Sequence, residues 1–199
     1  MDLHALWKGT SFADGAKRRR LQVMSAALDG MLEPIELRGK KILEVGCGPG
    51  SDFLRYLAKN DECELYGVDI RSYSGTPPGV MLSIADAASL PFDNQSLDLV
   101  VSIGVLEHIE PLEKLCRVAQ EIRRVGKRFC VIVPSISTVI EPHNRGFLWQ
   151  LRAPNTKMRY PALNYLSDEA WLSMEGFSGA KSSRFFYVPG LIANLMIVG

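Results

Sequence analysis

Ile42, Leu43, Glu44 and Val45 have the aliphatic, β-branched character of a buried strand, and they run straight into Gly46-Cys47-Gly48-Pro49-Gly50. Glycines tolerate positive φ and carry no Cβ, so such a turn reverses the chain at the strand's end and exposes amide N–H groups at the start of the next helix. A second strand, Glu64 to Val68, then delivers Asp69, 23 positions after Gly46. A carboxylate at that distance is placed to meet the hydroxyls of a ribose. The two features together predict an open α/β sheet with a nucleoside-bearing ligand at the carboxyl ends of its strands.

The rest of the chain supports alternation. The pattern predicts strand one over Lys41 to Val45, then a helix after Ser51 with Phe53, Leu54 and Leu57 on one face. Strand two covers Glu64 to Val68 and strand three Val80 to Ala85. Strand four covers Leu97 to Ser102, preceded by the turn pair Asp93-Asn94. A helix follows from Leu112 to Val125, apolar at Leu112, Leu115, Val118, Ala119, Ile122 and Val125 and stopped by Gly126. Strand five runs from Arg128 to Val133 and ends at Pro134. Strand-helix alternation of this kind implies a parallel, doubly wound sheet. A helix near Ser167 to Glu175 breaks the rhythm, and the strands Ala180 to Tyr187 and Leu191 to Val198 are joined by a turn too short for a crossover, so they must be antiparallel. The expected fold is an α/β, mostly parallel seven-stranded sheet with an antiparallel C-terminal hairpin.

A chain of 199 residues suffices for one domain with a sizeable core, and 1–199 reads as one unit. Within it, 1–37 is a helical segment and 135–166 a lid-like insertion after strand five. Apolar residues make up 47% and charged residues 23%, which excludes a disordered chain, and a net charge of +1 gives no global field toward nucleic acid. Lys17, Arg18, Arg19 and Arg20 fall inside an expected helix from Phe12 to Met31; they form a solvated face, or contact anionic lipid at a membrane surface or a phosphorylated substrate. Cys47, Cys63, Cys116 and Cys130 make no CxxC pair and read as reduced and mostly buried. No charged start followed by an apolar stretch and a cleavage site is present, so export is not expected and the placement is cytoplasmic. Phe185 to Gly199 is shorter than a bilayer-spanning helix of ~20 residues and is interrupted by Pro189-Gly190.

Four blocks, ILEVGCGPGSD (42–52), ELYGVDI (64–70), SIADAASLPFDNQSLDLVVS (83–102) and GVLEHIE (104–110), stand in the order in which the chain resembles the class I S-adenosylmethionine-dependent methyltransferases. Within that family the likeness is strongest to the broad group of quinone, small-molecule and lipid methyltransferases, and it covers about half of the chain. A nicotinamide fingerprint would need a third glycine where Ser51 stands.

The resemblance implies S-adenosylmethionine as cofactor and S-adenosylhomocysteine as product. It implies that Glu44 and the backbone from Gly46 through Cys47 and Gly48 to Gly50 hold the methionine end, while Asp69 accepts from the ribose. Ile70 lies against adenine, Asp86 and the Ala87 amide read the adenine edge, and Ser102 completes the cofactor-binding set. Asp69 capping a turn and Asp86 starting a helix are the competing local readings.

Methyl transfer needs alignment more than acid or base, and holding the reactants in place can supply ~7 to 11 kcal/mol. His108, just beyond strand four, and His143, after strand five, are the candidate bases for a hydroxyl acceptor. Some members bind a divalent metal through a Glu-x-x-Glu-His run here; Gly104 replaces the first glutamate, so no metal is expected. Ser102-Ile103-Gly104 also replaces the Pro-Pro-Tyr of adenine-N6 nucleic-acid methyltransferases.

Arg145, Phe147, Trp149, Arg152, Arg159, Tyr160 and Tyr165 give the 135–166 insertion the character of an ordered lid at the acceptor site, where arginines suit a carboxylate or phosphate. Trp7 and Phe12 are candidates for the other wall. The expected acceptor is a small molecule or a lipid-linked or glycan precursor, with no nucleic acid. A non-catalytic binding or partner module of the same fold is the alternative.

Overall fold

The computed structural model describes residues 38–50, 52–60, 63–73, 75, 77–140, 148, 151, 164, 166–188 and 190–199. The expected N-terminal helix with Trp7, Phe12 and the Lys17 to Arg20 run lies outside the described residues. So do His143 and the aromatic and arginine residues named for the lid.

Ten regular elements are described: β1 (Lys41–Val45), α1 (Asp52–Asn60), β2 (Glu64–Asp69), β3 (Val80–Ile84), β4 (Leu99–Ile103), α2 (Leu112–Val125), β5 (Phe129–Pro134), α3 (Asp168–Leu172), β6 (Lys181–Val188) and β7 (Ile192–Val198). They build a seven-stranded sheet in the order β3-β2-β1-β4-β5-β7-β6. β1 pairs in parallel with β2 on one side and β4 on the other, so the strand order reverses direction at β1 and opens a crevice at the carboxyl ends there. β7 runs antiparallel to both β5 and β6, which gives the expected terminal hairpin.

Strands of a parallel sheet bury both faces, and the alternation is visible residue by residue. Leu43, Val45, Val100, Val131 and Ile197 point into one layer, where Leu115, Val118, Ala119, Ile122 and Val125 of α2 cover them. Ile42, Val101, Ile132 and Met196 point the other way, toward Leu54 and Leu57 of α1. Each such aliphatic side chain, taken out of water, stabilises the fold by roughly 1.5–3 kcal/mol.

Most strand limits shift by a residue or two, and three departures from expectation have physical reasons. β4 begins at Leu99, because Leu97 makes only an isolated bridge to Gly126 and the Asp98 amide donates to Lys41 O at 2.9 Å. Leu112 belongs to α2 but lies outside its apolar face and is exposed. The helix expected from Ser167 to Glu175 is split. α3 starts where the Ser167 hydroxyl accepts from Ala170 N, and it stops at Leu172; a separate 3-10 turn at Glu175–Phe177 sets Gly176 against the α2 backbone.

Side chains of α2 fasten the loop between β3 and β4. Glu121 accepts from Leu90 N at 2.8 Å. Arg124 donates to Leu90 O, Phe92 O and Asn94 Oδ1. Gln95 donates its amide to Gly126 O at 2.9 Å. At the amino edge of the sheet Asp98 joins β4 to its neighbours, accepting from Lys127 Nζ at 2.8 Å and Lys41 N at 3.0 Å.

The hydrogen bond from Lys127, followed by that from the Lys41 amide, holds the Asp98 carboxyl below its ordinary range, and Arg124 does the same for Glu121. Groups with depressed folded pKa values stabilise the fold fully above their unfolded pKa, near 4, and lose that contribution as the pH falls through the folded value. Thermal melts between pH 7 and pH 3 are expected to show Asp98→Asn well below wild type at pH 7, with the gap closing toward pH 3. A gap independent of pH would contradict the assignment.

Candidate active site

The end of β1 is sewn to the end of β2. Gly46 N and Cys47 N both donate to Val68 O, at 2.8 and 3.2 Å. Gly46 has φ +76°, and a Cβ there would lie 2.5 Å from a Val105 methyl, so no other residue fits the turn. Gly48 also has positive φ, but a Cβ on it would meet nothing within 4 Å. The turn is packed from below and open above.

Asp69 closes onto this opening. Its Oδ2 accepts from Gly48 N at 3.1 Å, and its Oδ1 accepts from Arg71 N at 3.0 Å and from the Tyr73 hydroxyl at 3.3 Å. An ionised carboxylate offers about four lone-pair positions, so acceptor capacity remains for a ligand hydroxyl. Carboxylate and glycine turn, 21 residues apart, therefore share one hydrogen bond at the sheet's carboxyl edge.

Glu44 is buried at the next-to-last position of β1, directly beneath the turn. Cys47 is buried too, and its thiol is pushed up to about 11 by desolvation, with the Glu44 and Asp69 carboxylates adding to the rise. It stays protonated at neutral pH and packs rather than reacts. Ile70, just after Asp69, is 65% exposed. Ile84, the register partner of Asp69 on β3, is 68% exposed. Both are large apolar side chains left exposed near the carboxyl ends of β2 and β3. Ile84 was not singled out from sequence, where it reads as one more strand residue.

Asp86 stands two residues past β3. Its Oδ1 accepts from Ala88 N at 3.0 Å, closing a local turn where the competing sequence reading had a helix start, and its Oδ2 accepts from Lys114 Nζ at 2.8 Å. Ala87 lies half-buried inside that turn. Ser102 occupies a different position from the open turn: it is 1% exposed and donates its hydroxyl to Val45 O at 3.0 Å. It fixes the ends of β1 and β4 together beneath the turn.

Beyond β4 the 3-10 turn Leu106–His108 carries His108, 43% exposed at its side chain, with Nε2 3.9 Å from Oε1 of the buried Glu107. The turn is clamped by Asn164, whose side chain donates to Ile109 O at 2.6 Å and whose amide donates to Glu107 O. Asn164 falls in the expected lid, yet nothing in an asparagine 55 residues away signals that contact. Among the described residues, no group of three His, Cys, Asp or Glu side chains is arranged to hold a metal ion. Nor is any helix among them long and apolar enough to cross a membrane.

A family model described as a methyltransferase domain matches residues 43–132, the span that contains Glu44, the glycine turn, Asp69, Asp86 and His108. Residues 43–132 are a class I S-adenosylmethionine-dependent methyltransferase domain.

Among its relatives, ajmaline N-methyltransferase of Rauvolfia serpentina is 25% identical over 81% of this chain and 65% of its own length. The tRNA U34 carboxymethyltransferase of Pseudomonas aeruginosa is 31% identical over 74% of this chain and 48% of its own. The chain thus spans less than two thirds of either relative. In a solved complex of the Haloferax volcanii Trm112 methyltransferase activator with a putative methyltransferase, the matching chain superposes with a TM-score of 0.62 at 18% identity, covering 98% of this chain and 95% of that one. That likeness shows the fold.

The methyltransferase cofactor fits the residues present. The space above Gly48 is where a side chain would otherwise sit, Asp69 retains acceptor capacity beside it, and Ile84, in register with Asp69, and Ile70, next to it in the chain, expose apolar area near the strand ends.

Proposed function

We propose that this methyltransferase transfers a methyl group from S-adenosylmethionine to a small organic acceptor or a lipid-linked or glycan precursor, by in-line displacement. The observation that carries the reading is the Gly48-to-Asp69 hydrogen bond, which unites the bare backbone turn and the sugar-binding carboxylate. When bound, S-adenosylmethionine supplies a methyl group on a sulfonium, an electrophile that needs alignment more than acid catalysis. Asp69 holds the ribose, the Gly46 to Gly50 backbone and Glu44 hold the methionine end, and Ile70 and Ile84 exclude water from one face of the base. His108, on its clamped turn, is the candidate base toward the acceptor. His143 is a second candidate, and Lys17 to Arg20 are the proposed contact with anionic lipid. The proposed setting is cytoplasmic.

The similarity to a tRNA U34 carboxymethyltransferase favours a second reading, in which the acceptor is a tRNA base. The net charge of +1 weighs against it, because it gives no global field toward nucleic acid. Radiolabel transfer to bulk tRNA set against transfer to small-molecule extracts separates the two. The solved Haloferax complex adds a protein activator as a third component to include in that assay.

Titration calorimetry with S-adenosylhomocysteine tests the cofactor site. Wild type is expected to bind, and Asp69→Ala to bind more weakly by ~1.5 to 3 kcal/mol, the worth of hydrogen bonds to a charged group. An unchanged affinity refutes the ribose assignment. Binding without transfer to any acceptor favours the non-catalytic module.

A further inference from the structure

A lysine in the first turn of a helix is out of place. The amino end of α2 carries partial positive charge from its aligned peptide dipoles, and a cation there is disfavoured. Lys114 is the third residue of α2. Its ammonium is drawn out of that field across 28 residues of sequence, to Asp86 Oδ2 at 2.8 Å. The other carboxylate oxygen is held by Ala88 N. Each oxygen thus has a fixed partner, and the Asp86 side chain remains 48% exposed, so the carboxylate keeps acceptor capacity for a ligand.

We infer that Lys114 is a positioning residue for the purine end of the cofactor site, orienting the Asp86 carboxylate so that it accepts from the exocyclic amino group of the base. The inference rests on the cofactor reading above and extends it to a residue of α2. The loop that carries Asp86 is held independently by Glu121 and Arg124, so loss of Lys114 frees the carboxylate without releasing the loop. The same contact, followed by the Ala88 amide, keeps the Asp86 carboxyl below its ordinary range; Lys114 and Arg117 of α2 are the charged groups that face it. Asp86 therefore stays ionised, and competent as an acceptor, to lower pH than it would alone.

The test compares two ligands by calorimetry: S-adenosylhomocysteine and S-inosylhomocysteine, in which a carbonyl replaces the amino group and meets the carboxylate lone pair to lone pair. Wild type is expected to prefer the adenosyl ligand by ~10-fold or more. Lys114→Met should lose most of that preference while keeping its affinity for the inosyl ligand, and the pH below which adenosyl binding declines should move upward. Lys114→Arg should restore both.

Equal weakening of both ligands in Lys114→Met, with an unmoved pH midpoint, would show a merely structural pair and overturn the inference. Full retention of the preference would overturn it as well. A wild type that binds both ligands alike removes the purine assignment and the Lys114 role but leaves the ribose site. A wild type that binds neither removes the cofactor reading itself.

Discussion

Gly46→Ala is expected to destabilise the domain by ~2 to 5 kcal/mol and to remove measurable S-adenosylhomocysteine binding, because two costs fall on one atom. The backbone at this position has φ +76°, a left-handed conformation that costs a residue with a Cβ about 1 to 2 kcal/mol. The added methyl would then sit 2.5 and 2.6 Å from the two methyls of Val105, an overpacking typically worth ~1 to 3 kcal/mol. Val105 cannot retreat freely, since it packs against the core cluster and immediately precedes the His108 turn clamped by Asn164. Relief must come from the glycine turn, which would move away from Val68 O and from Asp69.

Gly48→Ala is the matched control. It carries the same kind of backbone cost at φ +57° but meets nothing within 4 Å, so its loss in melting temperature should be clearly the smaller of the two. Melts of both variants beside calorimetry decide the matter, and equal losses would contradict the role given to Val105.

Gly176→Ala should cost the fold even more, beyond ~3 kcal/mol, without touching the cofactor site. Its Cβ would lie 2.2 Å from the carbonyl carbon of Ala119, 2.3 Å from that oxygen and 2.5 Å from Gln120 N. These are backbone atoms of α2, and no rotamer change moves them. α2 itself is pinned to the sheet by Leu115, Val118, Ile122 and Val125, all fully buried. The 3-10 turn Glu175–Phe177 must therefore lift, taking with it Phe177, which stacks at 5.5 Å from Phe129. For a domain of this size ~3 kcal/mol corresponds to roughly 6 to 12 °C in melting temperature. Adding Ala119→Gly should give no rescue, because the collision is with main chain; recovery in the double variant would show that the side chain was the obstacle.

Much of the fold was legible because hydrophobic alternation and glycine punctuation are local signals. β1 and α2 appear at the predicted limits, and the short Pro189-Gly190 connection was enough to require an antiparallel pair. The split of the helix after Ser167 was not legible, since it depends on how closely Gly176 approaches a helix 57 residues earlier.

The site divides in the same way. Asp69 and the glycine turn announce themselves by spacing after strands. Ser102 matched a family block, yet its burial and its bond to Val45 O arise only when β1 and β4 become neighbours. Lys114, Ile84 and Asn164 gave no signal at all, because their meaning lies in partners distant in sequence.

A crystal structure with S-adenosylhomocysteine bound tests the central claim most directly. The ribose hydroxyls are expected within hydrogen-bonding distance of the Asp69 carboxylate, with the homocysteine carboxylate and amine over the Gly46 to Gly50 backbone beside Glu44. A ligand whose sugar lies elsewhere, with Asp69 still bonded only to Gly48, Arg71 and Tyr73, would contradict it.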